Sequence, residues 1–280
     1  MAGAALAAAG APAAFNLACV KDEALHARML AGLRSFGALV AGGAADARVL
    51  ELDGVSASIA PRAIAGSAAN SVIYEDSGSL VASLDGLASA YEDARVESWR
   101  VWVPEGDRTA AALLARAGFE PTDARTAMGL ELGRFSGQIA RSLEVSSDAG
   151  IGDIAQVNDR AYGYDGRFAR TLGLMPADVA VLYVARAGGD PAACLMALDE
   201  GGDCGLYLVA TVPEEQGRGL ATQLATRALL DGRERGCTTS TLQANPSSER
   251  FYLRLGYRRL GELQLWANPL ENAPRRVRCR

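Results

Sequence analysis

One stretch of the chain decides the fold: Val209-Ala210-Thr211-Val212-Pro213-Glu214-Glu215-Gln216-Gly217-Arg218-Gly219-Leu220-Ala221. Its first residues favour an extended strand, and Pro213 cannot continue a paired strand. After Gly219, small and apolar residues recur at helical spacing. The stretch therefore predicts a strand, a glycine-containing loop and a helix. Unpaired N–H groups at the start of such a helix attract anions, so the loop is a candidate phosphate site, although glycine in such a turn also serves backbone geometry alone.

Length and composition limit the class of protein. A chain of 280 residues, 49% hydrophobic and 22% charged, fits two globular domains of about 140 residues each. The net charge of -5 argues against a nucleic-acid partner, and the arginines at 275, 276, 278 and 280 predict only a short basic tail. No apolar run reaches the length of about 20 residues that a membrane helix needs, so no membrane association is expected.

Cysteine and histidine usage excludes several kinds of site. The cysteines are odd in number and form no close CxxC pair, which predicts reduced thiols, a cytoplasmic location and no zinc site. They are Cys19, Cys194, Cys204, Cys237 and Cys279. The single histidine, His26, excludes histidine-based triads and multi-histidine metal sites, and we expect it on a helix surface.

Periodicity and turn residues predict two halves of similar plan. The first half has predicted helices at 22–36, with Asp22 as a candidate cap, at 80–96 and at 108–117. Its predicted strands are 48–52, 55–59, 71–74, 99–103 and 127–132, with a hairpin at Asp53-Gly54. A polar stretch at 133–142 marks the predicted domain boundary. The second half has a short strand at 143–145, a helix at 153–162, an irregular segment at 163–177, a meander at 179–186, 193–198 and 206–212, a strand at 239–244, a helix at 247–255 and a strand at 257–266.

An internal duplication relates the halves. Aligning Gly118 with Gly256, an offset of 138 residues, superposes Leu-Leu-Ala-Arg-Ala-Gly-Phe at 113–119 on Phe-Tyr-Leu-Arg-Leu-Gly-Tyr at 251–257. In this register the glycine loop at 216–221 faces 78–83, which has no comparable glycines. The first half therefore lacks the candidate phosphate site.

Two motifs of the second half together resemble those of the GNAT superfamily of acyl-CoA-dependent N-acetyltransferases. The first places Gln216, Gly219 and Ala221 after a valine-rich strand, and the second runs from Asn245 through Tyr252 to Gly256-Tyr257. The resemblance covers about 143–266, and the whole chain is similar to tandem GNAT proteins of the mycothiol-synthase type. It implies an α/β fold, with a mixed, mostly antiparallel sheet flanked by helices, in two tandem GNAT-like domains. These are a degenerate domain at 1–137 and a catalytic domain at 142–270, followed by the basic tail at 271–280.

The resemblance also implies which residues would bind acetyl-CoA as cosubstrate. Its diphosphate would lie on the loop amides, and its pantetheine arm would pair with the strand before the loop, which splays from the next strand. A backbone N–H near Ala210 would polarise the thioester carbonyl, and Tyr252 would protonate the departing thiolate. The cofactor-binding candidates are Val209, Ala210, Thr211, Gln216, Gly217, Arg218, Gly219, Leu220, Ala221, Asn245 and Ser248. For Tyr252, Asn245 and Arg218, the alternatives of an aromatic packing residue, a turn former and a solvated loop arginine stay open.

The proton acceptor is not evident from the sequence. Some GNAT enzymes carry a glutamate base on the strand before the loop, but Gly205 stands at that position here. The attacking amine would then be deprotonated by a water chain, by Tyr207 or by residues of the turn at 162–167. The substrate candidates are therefore Tyr162, Tyr164, Asp165, Arg167 and Tyr207. In the first half, Leu114 replaces the acid tyrosine and Asp107 the asparagine, which predicts no catalysis there.

The expected activity is direct transfer of an acetyl group to the primary amine of a small molecule. A non-catalytic acyl-CoA-binding or regulatory module is the alternative from another class, because no base is visible and the first half is degenerate. Protein or peptide N-acetylation is a third possibility that would need an open groove. The sequence leaves the amine and a homodimer open.

Overall fold

A mixed β-sheet runs through both halves of the chain. The computed structural model describes residues 20–43, 46–63, 69–139, 145–146, 149–173, 175–176 and 179–268. Within these residues the sheet has eleven strands in the order β1-β2-β3-β4-β11-β5-β10-β9-β8-β7-β6. The mixed, mostly antiparallel sheet flanked by helices is confirmed, because only the β3–β4 and β9–β10 pairs are parallel.

The elements follow the predicted order closely. The strands are β1 (Arg48–Leu52), β2 (Val55–Ile59), β3 (Ser71–Tyr74), β4 (Arg100–Pro104), β5 (Glu120–Glu131), β6 (Val145–Ser146), β7 (Val181–Ala187), β8 (Asp190–Glu200), β9 (Asp203–Thr211), β10 (Thr239–Ala244) and β11 (Arg258–Ala267). The helices are α1 (Asp22–Gly42), α2 (Ser77–Asp93), α3 (Arg108–Arg116), α4 (Ile151–Tyr162), α5 (Arg167–Leu172), α6 (Leu220–Glu234) and α7 (Glu249–Arg254).

The two halves exchange their last strands. Strand β11, from the second half, lies between β4 and β5, and it pairs with both in antiparallel fashion. Strand β5, from the first half, lies between β11 and β10. Each half therefore completes its part of the sheet with a strand of the other. Three central pairings of the sheet, β4–β11, β11–β5 and β5–β10, join residues far apart in sequence.

Helix α1 covers strands of both halves on one face of the sheet. It buries one apolar side, which includes Leu25, Met29, Leu33 and Phe36. Leu25 approaches Gly129 of β5, and a Cβ on Gly32 would come within 2.9 Å of the hydroxyl of Tyr207 in β9. The helix therefore fastens the second half to the first, and a glycine is needed where the tyrosine meets it.

Several predicted details differ from the structure. Asp22 does not cap α1: the N-cap is Lys21, with no side-chain hydrogen bond, and Asp22 instead pairs with Arg258 at 2.8 Å. Helix α1 continues past Phe36, and β5 begins at Glu120, seven residues before the predicted strand. His26 is half-buried, and burial lowers its pKa.

The division into tandem domains stays a prediction, because one continuous sheet contains both halves. The N-terminal segment to residue 19, with Cys19, lies outside the described residues, as do 143–144 and the tail with Cys279. Cys194, Cys204 and Cys237 are free and buried. No described helix has the length and hydropathy required to cross a bilayer.

The strand exchange predicts that the halves do not fold separately. A fragment of residues 142–280 would lack α1 and leave β10 and β11 without β5 and β4, exposing sheet edges and apolar surface. We expect fragments 1–137 and 142–280 to aggregate or lack cooperative thermal unfolding when produced alone, and to form a soluble complex when produced together. Circular dichroism and size-exclusion chromatography measure this. A monomeric, cooperatively melting 142–280 fragment would contradict the exchange.

Candidate active site

The predicted splay of two strands is present as a fork between β9 and β10. These parallel strands are registered through one pair, Thr239 with Asp203, and then diverge. At this vertex the Asp203 carboxylate accepts hydrogen bonds from Thr239 Oγ1 and Thr241 Oγ1, each at 2.6 Å. Arg28 of α1 donates to Thr239 Oγ1 at 2.8 Å. Asp203 therefore joins the two strands where they meet, and the gap opens beyond it.

A bulge interrupts β9 beside the fork. Cys194 of β8 is registered with Ala210 and Met196 with Tyr207, so Leu208 and Val209 share the place opposite one residue. Leu208 has a φ of 52°, an unusual conformation for a residue with a side chain. Its carbonyl accepts the Cys194 thiol at 3.3 Å. The bulge thus turns the backbone of β9 at the level where the thioester is expected.

The Cys194 thiol is a buried anchor of this bulge. Asn158 of α4 donates to its sulfur at 3.2 Å. Burial raises the pKa of Cys194 to about 12, while the N–H of Ala210 and the Asn158 amide oppose the rise. The Ala210 N–H, the predicted oxyanion donor, thus interacts with this thiol. Leu208 and Val209 are half-buried and share one place opposite β8, so their N–H groups are further candidates for that role.

The glycine loop leaves the start of α6 without a cap. Gly217 and Gly219 have φ values of 77° and 82°, and a Cβ on either would meet no atom within 4 Å. Both glycines are therefore required by the backbone and not by close packing. Gly219 is the N-cap and gives no side-chain hydrogen bond. Among the described residues, the backbone N–H groups of 217–222 have no hydrogen-bond acceptor.

Side chains hold this loop against the end of β9. Gln216 Nε2 donates to the carbonyl of Thr211 at 3.3 Å. Arg218 forms an ion pair with Glu215, and it is exposed, so its charge is partly neutralised. Val209 and Thr211 are half-buried, and Leu220 is buried beneath the helix. The result is a positive helix end with free amides, which suits an anion such as a diphosphate.

The same place in the first half is closed by carboxylates. In the register offset by 138 residues, α2 begins five residues before α6. Asp76 caps it by accepting the N–H groups of Gly78 at 2.7 Å and Ser79 at 3.0 Å. Asp107 caps α3 and accepts the hydroxyls of Tyr74 at 2.8 Å and Ser77 at 2.7 Å. A built-in anion therefore occupies the helix end that the second half leaves open.

Tyr252 lies on α7, near the fork. It is 6% exposed and packs edge-on against Phe251 and Tyr257, with ring centroids 4.7 and 5.7 Å away. Burial raises the pKa of Tyr252, and the nearby Tyr162 raises it further. Its hydroxyl makes no hydrogen bond to the described residues. The phenol is therefore protonated at neutral pH and free to donate a proton.

The other motif residues form the turn before α7. The carbonyl of Asn245 accepts the Ser248 N–H at 2.9 Å and Ser248 Oγ at 3.1 Å. The Asn245 side chain makes no hydrogen bond to the described residues. Both residues are half-buried. The turn is thus made by their backbone and the serine hydroxyl, which leaves the asparagine amide for a ligand.

The turn between α4 and α5 brings two of its four substrate candidates together. The rings of Tyr162 and Tyr164 lie 5.7 Å apart, and Tyr162 acts on the pKa of Tyr252. Asp165 has a φ of 51° at the exposed tip of the turn. Arg167 is exposed and donates to the carbonyl of Tyr164 at 3.0 Å. Tyr162 is therefore the turn residue nearest the candidate acid, whereas Asp165 and Arg167 shape the turn.

Tyr207 lies on the α1 side of the fork. Its ring stacks on Phe36 of α1, with centroids 4.3 Å apart, and a Cβ on Gly205 would fall 2.6 Å from that ring. Glycine at 205 thus makes room for the tyrosine, which explains why no carboxylate stands there. Tyr207 Oη and Gln243 Nε2 are both buried without a well-formed hydrogen bond, and burial raises the pKa of Tyr207. A neutral phenol of this kind is a poor base.

Two contributions from the first half were not predicted. Phe36 lies against Tyr207, and the charge of Arg125 in β5 reaches Tyr162 and lowers its pKa against the effect of burial. Neither residue belongs to a sequence motif. Their positions near the fork follow only from the exchanged strands and from the packing of α1. Among the described residues, no cluster of three or more histidine, cysteine or acidic side chains could hold a metal ion.

The fork, the uncapped glycine loop and the buried tyrosine lie in a stretch that matches a family of acetyltransferases. Residues 156–257 match the family model described as "Acetyltransferase (GNAT) family". This stretch is thereby related to N-acetyltransferases, and the expected enzyme class, an acyltransferase, is supported. No match was found among the curated proteins.

Solved structures share the fold over most of the chain. A GCN5-related N-acetyltransferase from Kribbella flavida is 16% identical, with a TM-score of 0.63, over 85% of this chain and 95% of that one. One from Sphaerobacter thermophilus is 16% identical, with a TM-score of 0.57, over 89% and 93%. A GCN5-related glucosamine N-acetyltransferase region of a fungal multi-domain β-N-acetylglucosaminidase is 16% identical, with a TM-score of 0.53, over 79% and 31%. At these identities the likeness is one of fold.

The vertex predicts a pH-dependent stability. Burial raises the pKa of Asp203 above its ordinary value, against the hydrogen bonds from the two threonines. The native state therefore binds the proton more tightly than the unfolded state does, and this contribution to the free energy of unfolding falls as pH rises from about 4 through the raised pKa. In Asp203→Asn this fall is absent, so the variant gains stability relative to the wild type across that range.

Urea unfolding at a series of pH values measures the effect. The matched control is Asp85→Asn, at an exposed position of α2. A constant difference between Asp203→Asn and the wild type over the whole range would show that the carboxylate does not titrate abnormally.

Proposed function

We propose that the protein is an acetyl-CoA-dependent N-acetyltransferase that acetylates the primary amine of a small molecule at the fork of the second half. The observation that carries this proposal is the conjunction of three features. They are the fork between β9 and β10, the free amides at 217–222 and the protonated Tyr252. A binding loop alone would not need a proton donor, whereas transfer to an amine releases a thiolate that does.

Each feature has a role in direct transfer. The free amides of the loop and the positive end of α6 would bind the diphosphate of acetyl-CoA. The bulge at Leu208 and Val209 supplies N–H groups for the oxyanion that forms when the amine attacks the thioester carbon. As the carbon–sulfur bond breaks, Tyr252 gives its proton to the thiolate. No covalent acyl-enzyme is required.

The proton of the attacking amine leaves by water in this proposal. Gly205 has no carboxylate, and Tyr207 stays protonated because burial raises its pKa. Tyr207 Oη and Gln243 Nε2 are buried polar atoms without a well-formed hydrogen bond, so they are suited to hold a water. An enzyme of this kind would depend on pH through the amine's own ionisation.

A small acceptor is favoured over a protein. Helix α1 packs on β9 and β10, with Phe36 stacked on Tyr207, and α4 packs on β9, so two helices cover the strands of the fork and narrow the access for a peptide. The glucosamine N-acetyltransferase region of similar fold acts, by its title, on an amino sugar. We further propose that the halves are a tandem duplication in which the first lost its site, and that the enzyme works in the cytoplasm with reduced thiols.

Cofactor binding is tested by adding a charge at the loop. Thr222 is exposed in the first turn of α6, where a glutamate favours the helix but occupies the anion site. We expect Thr222→Glu to raise the Kd for acetyl-CoA at least about tenfold, equivalent to about 1.4 kcal/mol, by isothermal titration calorimetry. The control, Val81→Glu, adds the same charge to α2 at a position that is 51% exposed. Equal effects of both variants, or no binding by the wild type, would contradict the proposed site.

The role of Tyr252 is tested by Tyr252→Phe, which keeps the ring packing and removes the proton. We expect kcat to fall by about 100-fold or more with the Kd for acetyl-CoA unchanged. Because the pKa of Tyr252 is raised, the wild-type rate should not decline with rising pH until above about pH 10. Thiol release with a panel of amines is the measurement, and Tyr91→Phe, in the first half, is the control.

The same assay separates catalysis from binding. Full turnover in Tyr252→Phe would exclude the tyrosine as the acid. Acetyl-CoA binding without thiol release by any amine would instead support the non-catalytic acyl-CoA-binding module, which the missing carboxylate at Gly205 favours.

A further inference from the structure

Strand β5 of the first half brings an arginine to the acceptor side of the fork. In the β5–β10 pair, Ala127 is opposite Gln243 and Thr126 is opposite Ala244, so Arg125 comes next to Asn245. Alternation along the strand places Arg125 on the same face as Ala127 and as Gly129, which touches Leu25 of α1. Arg125 therefore lies on the face that α1 and α4 cover, at the open end of the fork.

The guanidinium of Arg125 is held by one nitrogen only. Its Nη1 donates to the carbonyl of Ala124 at 2.9 Å and pairs with Asp123 Oδ1 at 2.6 Å. The same Asp123 oxygen accepts the N–H of Ala124 at 2.9 Å. Among the described residues, Nε and Nη2 have no partner, although the side chain is only 21% exposed. The edge of the guanidinium formed by Nε and Nη2 thus presents two donors that bind no described residue.

That guanidinium belongs to the same cluster as the candidate acid. Burial raises the pKa of Tyr162, and the positive charge of Arg125 opposes this rise. Tyr162 in turn raises the pKa of Tyr252. Tyr164 lies next to Tyr162, with ring centroids 5.7 Å apart. An amine placed to attack near Tyr252 would therefore have the rest of its structure beside these rings and the arginine.

We propose that Arg125 binds an anionic group, a carboxylate or a phosphate, of the amine that the second half acetylates. The free Nε–Nη2 edge matches the two oxygens of such a group in a bidentate pair, which a lysine cannot make. This inference rests on the proposed function and adds the class of its acceptor. It also gives the first half a part in the reaction that needs no cofactor site of its own.

The test compares matched acceptors in the full-length protein. We would measure kcat/KM by thiol release for L-amino acids against their carboxamides, and for O-phosphoethanolamine against ethanolamine. We expect the anionic member of one pair to be preferred at least about tenfold by the wild type. Arg125→Gln should lose this preference through KM with kcat nearly unchanged, and Arg125→Lys should recover only part of it. Arg116→Gln, at an exposed position of α3, should behave as the wild type.

Each outcome decides the point. A preference for the amino acids identifies a carboxylate, and a preference for O-phosphoethanolamine a phosphate. Equal rates within both pairs, or a preference that survives Arg125→Gln, would overturn the inference and leave the acetyltransferase standing. If no acceptor turns over, binding of the same compounds to the CoA-bound protein is measured instead by saturation-transfer NMR. Absence of anion binding that depends on Arg125 would then overturn the inference. Failure of acetyl-CoA itself to bind would overturn the proposed function instead.

Discussion

The antiparallel pairing of β5 with β11 is the contact on which the rest of the structure depends. It joins the last strands of the two halves, and each of these strands then pairs with the other half on its outer side. Arg258 at the start of β11 reinforces the join, because its guanidinium contacts Asp22, the carbonyl of Val20 and Glu131. A sheet built this way has no point at which one half can be removed without exposing two strand edges.

The exchange also determines what surrounds the fork. Strand β10 has β9 on one side, from which it diverges, and β5 on the other, so the fork of the second half is bordered by the first. Helix α1 of the first half also lies against the second half, because its Gly32 and Phe36 contact Tyr207 of β9. The fork is therefore bordered by both halves, whereas the glycine loop and α6 belong to the second half alone.

Local signals predicted the elements and the glycine loop before α6. The Asp53-Gly54 hairpin and the strands at 71–74 and 239–244 agree with the structure residue for residue, because turn chemistry and β-branched runs act over a few positions. The glycine loop was predictable for the same reason. Strand exchange, the reach of α1 and the position of Arg125 depend on pairings between distant residues, which no local pattern specifies. The assignment of Asp22 as a cap was wrong because its charge pairs with Arg258 of a strand more than 200 residues away.

The contrast between the two helix starts explains why only one half keeps an open site. At α2 the Asp76 carboxylate satisfies two N–H groups, and such a cap stabilises the start of a helix. At α6 the corresponding amides have no partner among the described residues, so the native state lacks that contribution. The open end is therefore less stable than it could be, as binding sites commonly are. Asp107 further ties Tyr74 and Ser77 together, so carboxylates hold the helix starts of the first half through hydrogen bonds of the protein itself.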